Sequence, residues 1–254
     1  MTETAYYLLL KSMVAIAFVV FVALYFVKAG YGKFRTPASG FSINNKTAWV
    51  LMEAPVFFTM AVLWLQSADP WLLPQLVLFL LFELHYFQRS FVFPLLLKGK
   101  GSMPVCIMLM GVTFNVVNGM MQAGGLFLFP PAEYADGAAY LIQPRTLAGI
   151  AIFFAGMAVN IHSDHVIRSL RKPGDTNHYL PERGMYRFVT SANYFGELVE
   201  WTGFAIASST WASWVFVLWT AANLVPRAAA IYNRYAEEFG DVVYSRKRII
   251  PFVY

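Results

Sequence analysis

Apolar residues run through this chain in seven long stretches, about 7–27, 47–65, 71–93, 104–129, 144–161, 192–208 and 211–230, parted by short polar breaks. A helix crosses bilayer hydrocarbon in about 20 mostly apolar residues, so each stretch has the length of a span. No break is long enough to hold a second domain, and no repeat, low-complexity tract or linker interrupts the pattern. The expectation is an all-α polytopic membrane protein, one domain over residues 1–254.

Composition agrees with the pattern. The chain is 58% hydrophobic and 13% charged, where a soluble domain carries roughly a quarter charged residues. With seven spans, sixteen of the seventeen Lys and Arg in the connections fall on one side. The positive-inside rule then puts the N-terminus outside and the C-terminus in the cytosol. The net charge of +5 reads as loop orientation and attraction to membrane lipid, not as nucleic-acid binding. The first stretch lacks a basic n-region and is not expected to be a cleavable signal peptide. The single cysteine, Cys106, excludes an internal disulfide and a cysteine metal cluster; it reads as a small packed side chain.

Polar groups within spans are costly and face a bundle interior or a wet cavity. Lys11 is near a span end and can snorkel. Glu53 precedes Pro55 in "VLMEAPVFF"; "LFELHYFQRSF" brings in Glu83, His85, Tyr86 and Arg89. Asn115, Asn118 and Gln122 recur at helical steps, as do Asn193, Glu197 and Trp201. Interhelical hydrogen bonding accounts for any one of these. Polar stripes on four spans together imply a shared internal cavity, which suits an enzyme or a carrier.

The stretch "NIHSDHVIRSLRKPGD" (160–175) ends the fifth apolar run. If the helix continues past the membrane surface, Asn160, Asp164, Arg168 and Arg171 fall on one narrow face. His162 and His165 lie on another side, and zinc would need a third ligand from His85 or His178; the alternative is a packed or hydrogen-bonded pair. Arg168, Arg171 and Lys172, with Arg227 and "SRKR" (245–248), form a basic collar suited to phosphate or carboxylate. No G-x-G-x-x-G follows a strand, and "GKGS" (99–102) lacks phosphate-loop spacing. The residues alone give a membrane-embedded enzyme or carrier with an anionic, phosphorylated cytosolic ligand.

"NIHSDHVIRSLRKPGD", "YLPERGMYRFVTSANYFGELVEWTGFAIAS" and "SRKRIIPFVY" resemble the steroid 5α-reductase family. "YGKF", "AWVLMEAP", "LHYFQRSFVFPLLLKGKGSMP" and "VVNGMMQ" match it in the same order, over nearly the whole chain. The resemblance implies a seven-helix bundle catalysing NADPH-dependent reduction of the C4–C5 double bond of 3-oxo-Δ4-steroids. It implies that the NADPH site faces the cytosol, supplied mostly by about 104–254, with the steroid entering from lipid. By motif, Asn160, His162, Asp164, Arg168, Arg171, Asn193, Glu197, Arg227, Tyr235 and Arg246 would line the nucleotide, with Tyr31 and Lys100. Glu53 and Tyr86 would hydrogen-bond the 3-ketone, and a phenol and a neutral carboxylic acid are donors suited to the charge that builds there. No metal and no obligate protein partner are expected, and the membrane would be a bacterial inner membrane or the endoplasmic reticulum. The chain departs from the family at "RAAAIYNRY" (227–235), where a histidine run is usual. Competing readings are a reductase of another lipid enone (polyprenal or enoyl thioester), an S-adenosylmethionine-dependent membrane methyltransferase, and a carrier of an amphipathic anion.

Overall fold

The computed structural model describes residues 1–26, 41–98, 101–172 and 179–254. Tyr31, Lys100 and His178 lie outside the described residues. The helices are α1 (Glu3–Phe26), α2 (Asn45–Leu65), α3 (Leu73–Phe87), α4 (Phe93–Leu96), α5 (Val105–Ala123), α6 (Ala138–Leu141), α7 (Pro144–Ser169), α8 (Ala192–Ser208), α9 (Trp211–Phe239) and α10 (Asp241–Tyr244). Single π turns, Gln88–Val92 and Gly124–Leu128, extend α3 and α5. Two short strands, β1 (Ser42–Asn44) and β2 (Ser102–Pro104), pair antiparallel with Ile43 opposite Met103.

Among the described residues six helices are long and apolar enough to cross a membrane: Glu3–Phe26, Asn45–Leu65, Leu73–Leu96, Val105–Leu128, Pro144–Ser169 and Trp211–Phe239. The remaining apolar stretch, 192–208 and sixth in chain order, folds as α8, a helix of 17 residues. The protein is therefore a helical integral membrane protein. The boundaries follow local chemistry: Pro144 opens α7, where its missing N–H costs nothing, and the Thr210 hydroxyl caps α9 by accepting from Ser213 N–H. α7 runs on to Ser169 and α9 to Phe239, past their apolar stretches, and no Pro or Gly interrupts either extension. Cys106 is not packed as expected: in the first turn of α5 it lies on the outward face and is exposed.

Cross-contacts divide the connections between two ends. At one end β1 pairs β2, the Lys46 ammonium donates to Leu95 O and that of Lys98 donates to Arg171 O. There Thr190 N–H and Ser191 N–H donate to Lys247 O and Arg248 O, stitching the tail to the segment before α8. At the other end, Tyr134 and Tyr140 donate to Ser208 O and Ala207 O at the close of α8. Tyr6, near the start of α1, donates to Met121 O.

The closest packing is between α7 and α8. Gly149 and Gly156 on α7 meet Gly203 and Gly196 on α8 so tightly that an added Cβ at any of the four would strike partner backbone. Small residues of this kind let membrane helices approach at backbone distance. The approach brings Asn160 and Asp164 against Asn193 and sets Glu197 within electrostatic reach of Asp164. Backbone cannot yield as a side chain does, so Gly156→Val should cost more than the roughly 1–3 kcal/mol of ordinary overpacking. The check is a detergent thermal melt, where the variant should be strongly destabilised or fail to accumulate; a melt like wild type would show that the helices can part.

Candidate active site

α5 forms the spine of the site. Asn115 and Asn118, one turn apart on its inner face, are buried and donate in different directions. The Asn115 amide donates to Met52 O (2.8 Å) and to Glu53 Oε2 (3.1 Å). That of Asn118 donates to the Tyr86 hydroxyl (3.2 Å). An acid from α2 and a phenol from α3 are thereby set side by side, although more than thirty residues separate them in the chain. Tyr86 is 3% exposed; Glu53 is partly buried, and its ionisable neighbours are Arg89, Glu197 and His85.

A second layer lies toward the basic end. Arg89, carried on the π turn that follows α3, reaches Asp164 on α7 (3.4 Å) and Glu197 on α8 (3.9 Å). Its guanidinium sits 4.9 Å from the centroid of the Trp49 ring and 4.6 Å from that of Phe93, a stacked setting in which Arg is favoured over Lys. A π turn re-aims side chains within a helix, and here it turns Arg89 onto two acids. The Asn193 amide donates to Asp164 Oδ1 (3.1 Å), and that of Asn160 to Asn193 O (2.9 Å). Tyr186 donates to Asn193 Oδ1 (3.3 Å). Burial pushes the Tyr186 phenol up from its ordinary range, which keeps it a neutral donor.

A third layer is the cationic collar. Tyr235 of α9 lies within electrostatic reach of Arg171, Arg234 and Arg246. Arg246 is 7% exposed; it donates to Pro181 O (2.6 Å) and pairs with Glu182 (3.7 Å). Among the described residues Arg168 has a buried Nη1 without a hydrogen-bond partner, and Arg248, lying over the rings of Tyr232 and Tyr254, has such an Nε. Arg227 is partly buried within α9.

Of the residues expected from sequence, Glu53 and Tyr86 meet through α5. Asn160, Asp164, Asn193 and Glu197 form one network, and Arg171, Tyr235 and Arg246 form a cluster. His162 stands apart: it is exposed and its ring packs over Gly184, whose φ of +61° and lack of a Cβ make room for it. His165 is exposed on the same helix. His85 instead pairs with Glu200 in the core, Nδ1 to Oε1 2.7 Å, with its ring 4.5 Å from that of Trp201. The polar stripes pointed to Asn115, Asn118 and Arg89, but their partners were not legible. Tyr186 sits in a short 3-10 turn with no periodic signal and was missed.

Glu83 takes no part in these layers. It is 7% exposed, and among the described residues neither carboxyl oxygen has a hydrogen-bond partner. An unpaired buried polar group costs about 1–3 kcal/mol, so Glu83→Leu should raise Tm in detergent by several degrees. A lower Tm would show that the carboxyl holds the helix by a contact of its own.

A helical membrane bundle with an acid and a phenol in its core, and a collar of arginines at one end, defines a membrane-embedded enzyme class rather than a soluble nucleotide fold. Comparison with known proteins narrows the class. The profile of the 3-oxo-5-alpha-steroid 4-dehydrogenase family matches residues 101–254. The chain is similar to the Bos taurus 3-oxo-5-alpha-steroid 4-dehydrogenase 1, 38% identical over 245 residues, covering 94% of this chain and 93% of that one. It is 37% identical over 238 residues to the Homo sapiens 3-oxo-5-alpha-steroid 4-dehydrogenase 2, covering 92% and 91%. With the Gossypium hirsutum steroid 5-alpha-reductase DET2 it shares 35% identity over 257 residues, 99% and 98% of the two chains. The chain belongs to the 3-oxo-5-alpha-steroid 4-dehydrogenase family.

Proposed function

We propose that this protein reduces the C4–C5 double bond of a 3-oxo-Δ4-steroid with NADPH, acting as a steroid 5α-reductase. The observation that carries the reading is the pair held by α5: Asn115 on the Glu53 carboxyl and Asn118 on the Tyr86 hydroxyl. An enone resists hydride attack until its carbonyl oxygen is polarised, because negative charge builds there in the transition state. Two fixed donors in a dry core stabilise that charge without reorganising. Asn118 donates to the phenol oxygen, which leaves the Tyr86 hydrogen for the ketone. The uncharged acid form of Glu53 offers a second hydrogen to the same oxygen. When bound, NADPH supplies the hydride that ends on C5. The electron pair displaced from the double bond is held at the 3-oxygen by Glu53 and Tyr86 until C4 takes a proton.

The donor set fits such a cofactor. Arg168 Nη1 and Arg248 Nε, without hydrogen-bond partners among the described residues, offer charge-assisted donors for phosphate together with Arg171 and Arg246 around Tyr235. Asp164, Asn193 and Glu197 offer polar groups for ribose and amide, with Asn160 and Tyr186 positioning Asn193. Arg227, His162, Tyr31 and Lys100 belong to the proposed lining by motif.

Seven crossings are proposed, with α8 as the sixth in order, the N-terminus outside and the basic end in the cytosol. The separation of the connections into two ends supports this, because each successive helix must cross to reach them. The substrate enters from lipid, no nucleic acid or obligate protein partner takes part, and the membrane is a bacterial inner membrane or the endoplasmic reticulum. One observation favours a second reading, another lipid enone as substrate. Ala229 and Ala230 line a cleft of about 360 Å³ with Leu24, Tyr25, Asn233 and Arg234, at the stretch where the chain departs from its family.

The test is nicotinamide absorbance decay with purified protein, comparing NADPH with NADH, each with and without progesterone. Oxidation that requires NADPH and steroid together, with a 5α-reduced product, is the expected result. Tight NADPH binding without turnover would move the substrate to polyprenals or enoyl thioesters. No binding of either nucleotide would overturn the reductase reading in favour of a methyltransferase, whose S-adenosylmethionine lacks phosphates and leaves Arg168, Arg171 and Arg246 without an anionic target.

A further inference from the structure

Behind Tyr86 a buried file of hydrogen bonds runs away from the basic end. The Asn118 amide donates to the Tyr86 hydroxyl at 3.2 Å, and that of Gln122 donates to Asn118 Oδ1 at 3.4 Å. Gln122 also donates to Ala212 O at 3.0 Å and accepts from the Ser213 hydroxyl at 3.0 Å. Ser213 in turn meets Ser208 Oγ at 2.9 Å and Thr210 Oγ1 at 2.8 Å. Asn118 and Gln122 are fully buried, and Ser208, Ser213 and Thr210 nearly so.

The direction of this file follows from donor and acceptor inventory alone. A backbone carbonyl only accepts, so Ala212 O fixes the Gln122 amide with its NH2 toward α9 and toward Asn118. Reversing it would set oxygen against oxygen at Ala212. The Gln122 NH2 only donates, so Asn118 must face it with Oδ1 and turn its own NH2 to Tyr86. The Gln122 Oε1 takes the single proton of Ser213, so Ser213 accepts from Ser208 and Thr210. Apart from the branch to Ala212 O, the bonds from Ser208 and Thr210 through Ser213, Gln122 and Asn118 therefore all point toward the Tyr86 oxygen, and bonds so aligned polarise one another.

We infer that Ser213, Gln122 and Asn118 are positioning residues that hold the Tyr86 hydroxyl with its hydrogen turned to the substrate ketone. The inference rests on the role given to Tyr86 under the proposed function. The loop between α8 and α9, at the far end of the bundle from the cationic collar, is thereby coupled to the reacting carbonyl. Without the file, the Asn118 amide is free to turn its oxygen to Tyr86, and the phenol would spend its hydrogen there.

The experiment is a double-mutant cycle in kcat for steroid-dependent NADPH oxidation, with NADPH affinity and Tm measured for each variant. Gln122→Met keeps volume and removes the file's anchor; it should lower kcat about tenfold with steroid KM and NADPH Kd unchanged. In the Tyr86→Phe background the same change should lower kcat less than twofold, because no hydroxyl remains to orient. Equal losses in both backgrounds would make Gln122 merely structural and overturn the inference. Should Gln122→Met fail to bind NADPH, the milder Ser213 pair decides: Ser213→Ala slowed a few-fold and Ser213→Thr restored to the wild-type rate would support the file, and two equal rates would overturn it. If Tyr86→Phe itself turns over at the wild-type rate, the proposed role of the phenol has failed and the file falls with it. If Tyr86→Phe is slow while Gln122→Met is not, the file alone has failed.

Discussion

Glu53→Gln binds NADPH as the wild type does and loses about a hundredfold in kcat, the loss expected when one donor to a developing oxyanion is weakened. The substitution is close to isosteric, and Asn115 prescribes how the new side chain sits. Its amide hydrogen bonds need an acceptor where Glu53 Oε2 lies at 3.1 Å. The new amide therefore offers its oxygen to Asn115 and its NH2 to the substrate. A donor remains, but an amide N–H is a far weaker acid than a carboxyl O–H and stabilises less charge in the transition state. Stopped-flow nicotinamide oxidation with saturating steroid, beside equilibrium NADPH binding, separates the two quantities. Turnover at the wild-type rate would make Glu53 a structural residue that bonds α2 to α5.

Arg89→Met is the second large effect, and it acts on stability. Arg89 carries the only cation that the described ion pairs place against Asp164 and Glu197, whose side chains are 6% and 18% exposed. Methionine keeps much of the volume between Trp49 and Phe93 but leaves two acids without that partner in a mostly apolar setting. Breaking a buried pair by removing one member costs about 3–5 kcal/mol, a fall in Tm on the order of 10 °C for a chain of this size. Arg89→Lys should fall between, since a lysine keeps the charge but not the planar fork that stacks on the rings. The readout is a thermal melt in detergent at two NADPH concentrations. An unchanged Tm would mean that Arg168, also within electrostatic reach of Asp164, takes over the neutralisation.

Much of the architecture is legible in the sequence. Apolar runs of spanning length became helices because, without water, only intrahelical hydrogen bonds satisfy the backbone. The asparagines, acids and Arg89 read as inward-facing because their exposure to lipid is too costly. The face of Asn160, Asp164 and Arg168 followed from helical periodicity, which α7 keeps as far as Ser169; Arg171, expected on the same face, lies past the end of the helix. These features depend on composition and on contacts within a few residues along one helix.

Pairings between helices were not legible in this way. Nothing local says that Glu53 and Tyr86 hang from neighbouring asparagines of a third helix, or that His85 abandons the other histidines for Glu200. Cys106 shows the same limit: an apolar run does not say which face of its helix is inward, and this residue lies on the outer one. The glycine contacts between α7 and α8 set which polar groups meet, and the π turn after Tyr86 sets where Arg89 points. Local order along the chain decides which segments become helices and which faces are polar. The rotation and depth at which two helices lock depend on backbone approach and side-chain fit across the bundle, and only the folded molecule contains those distances.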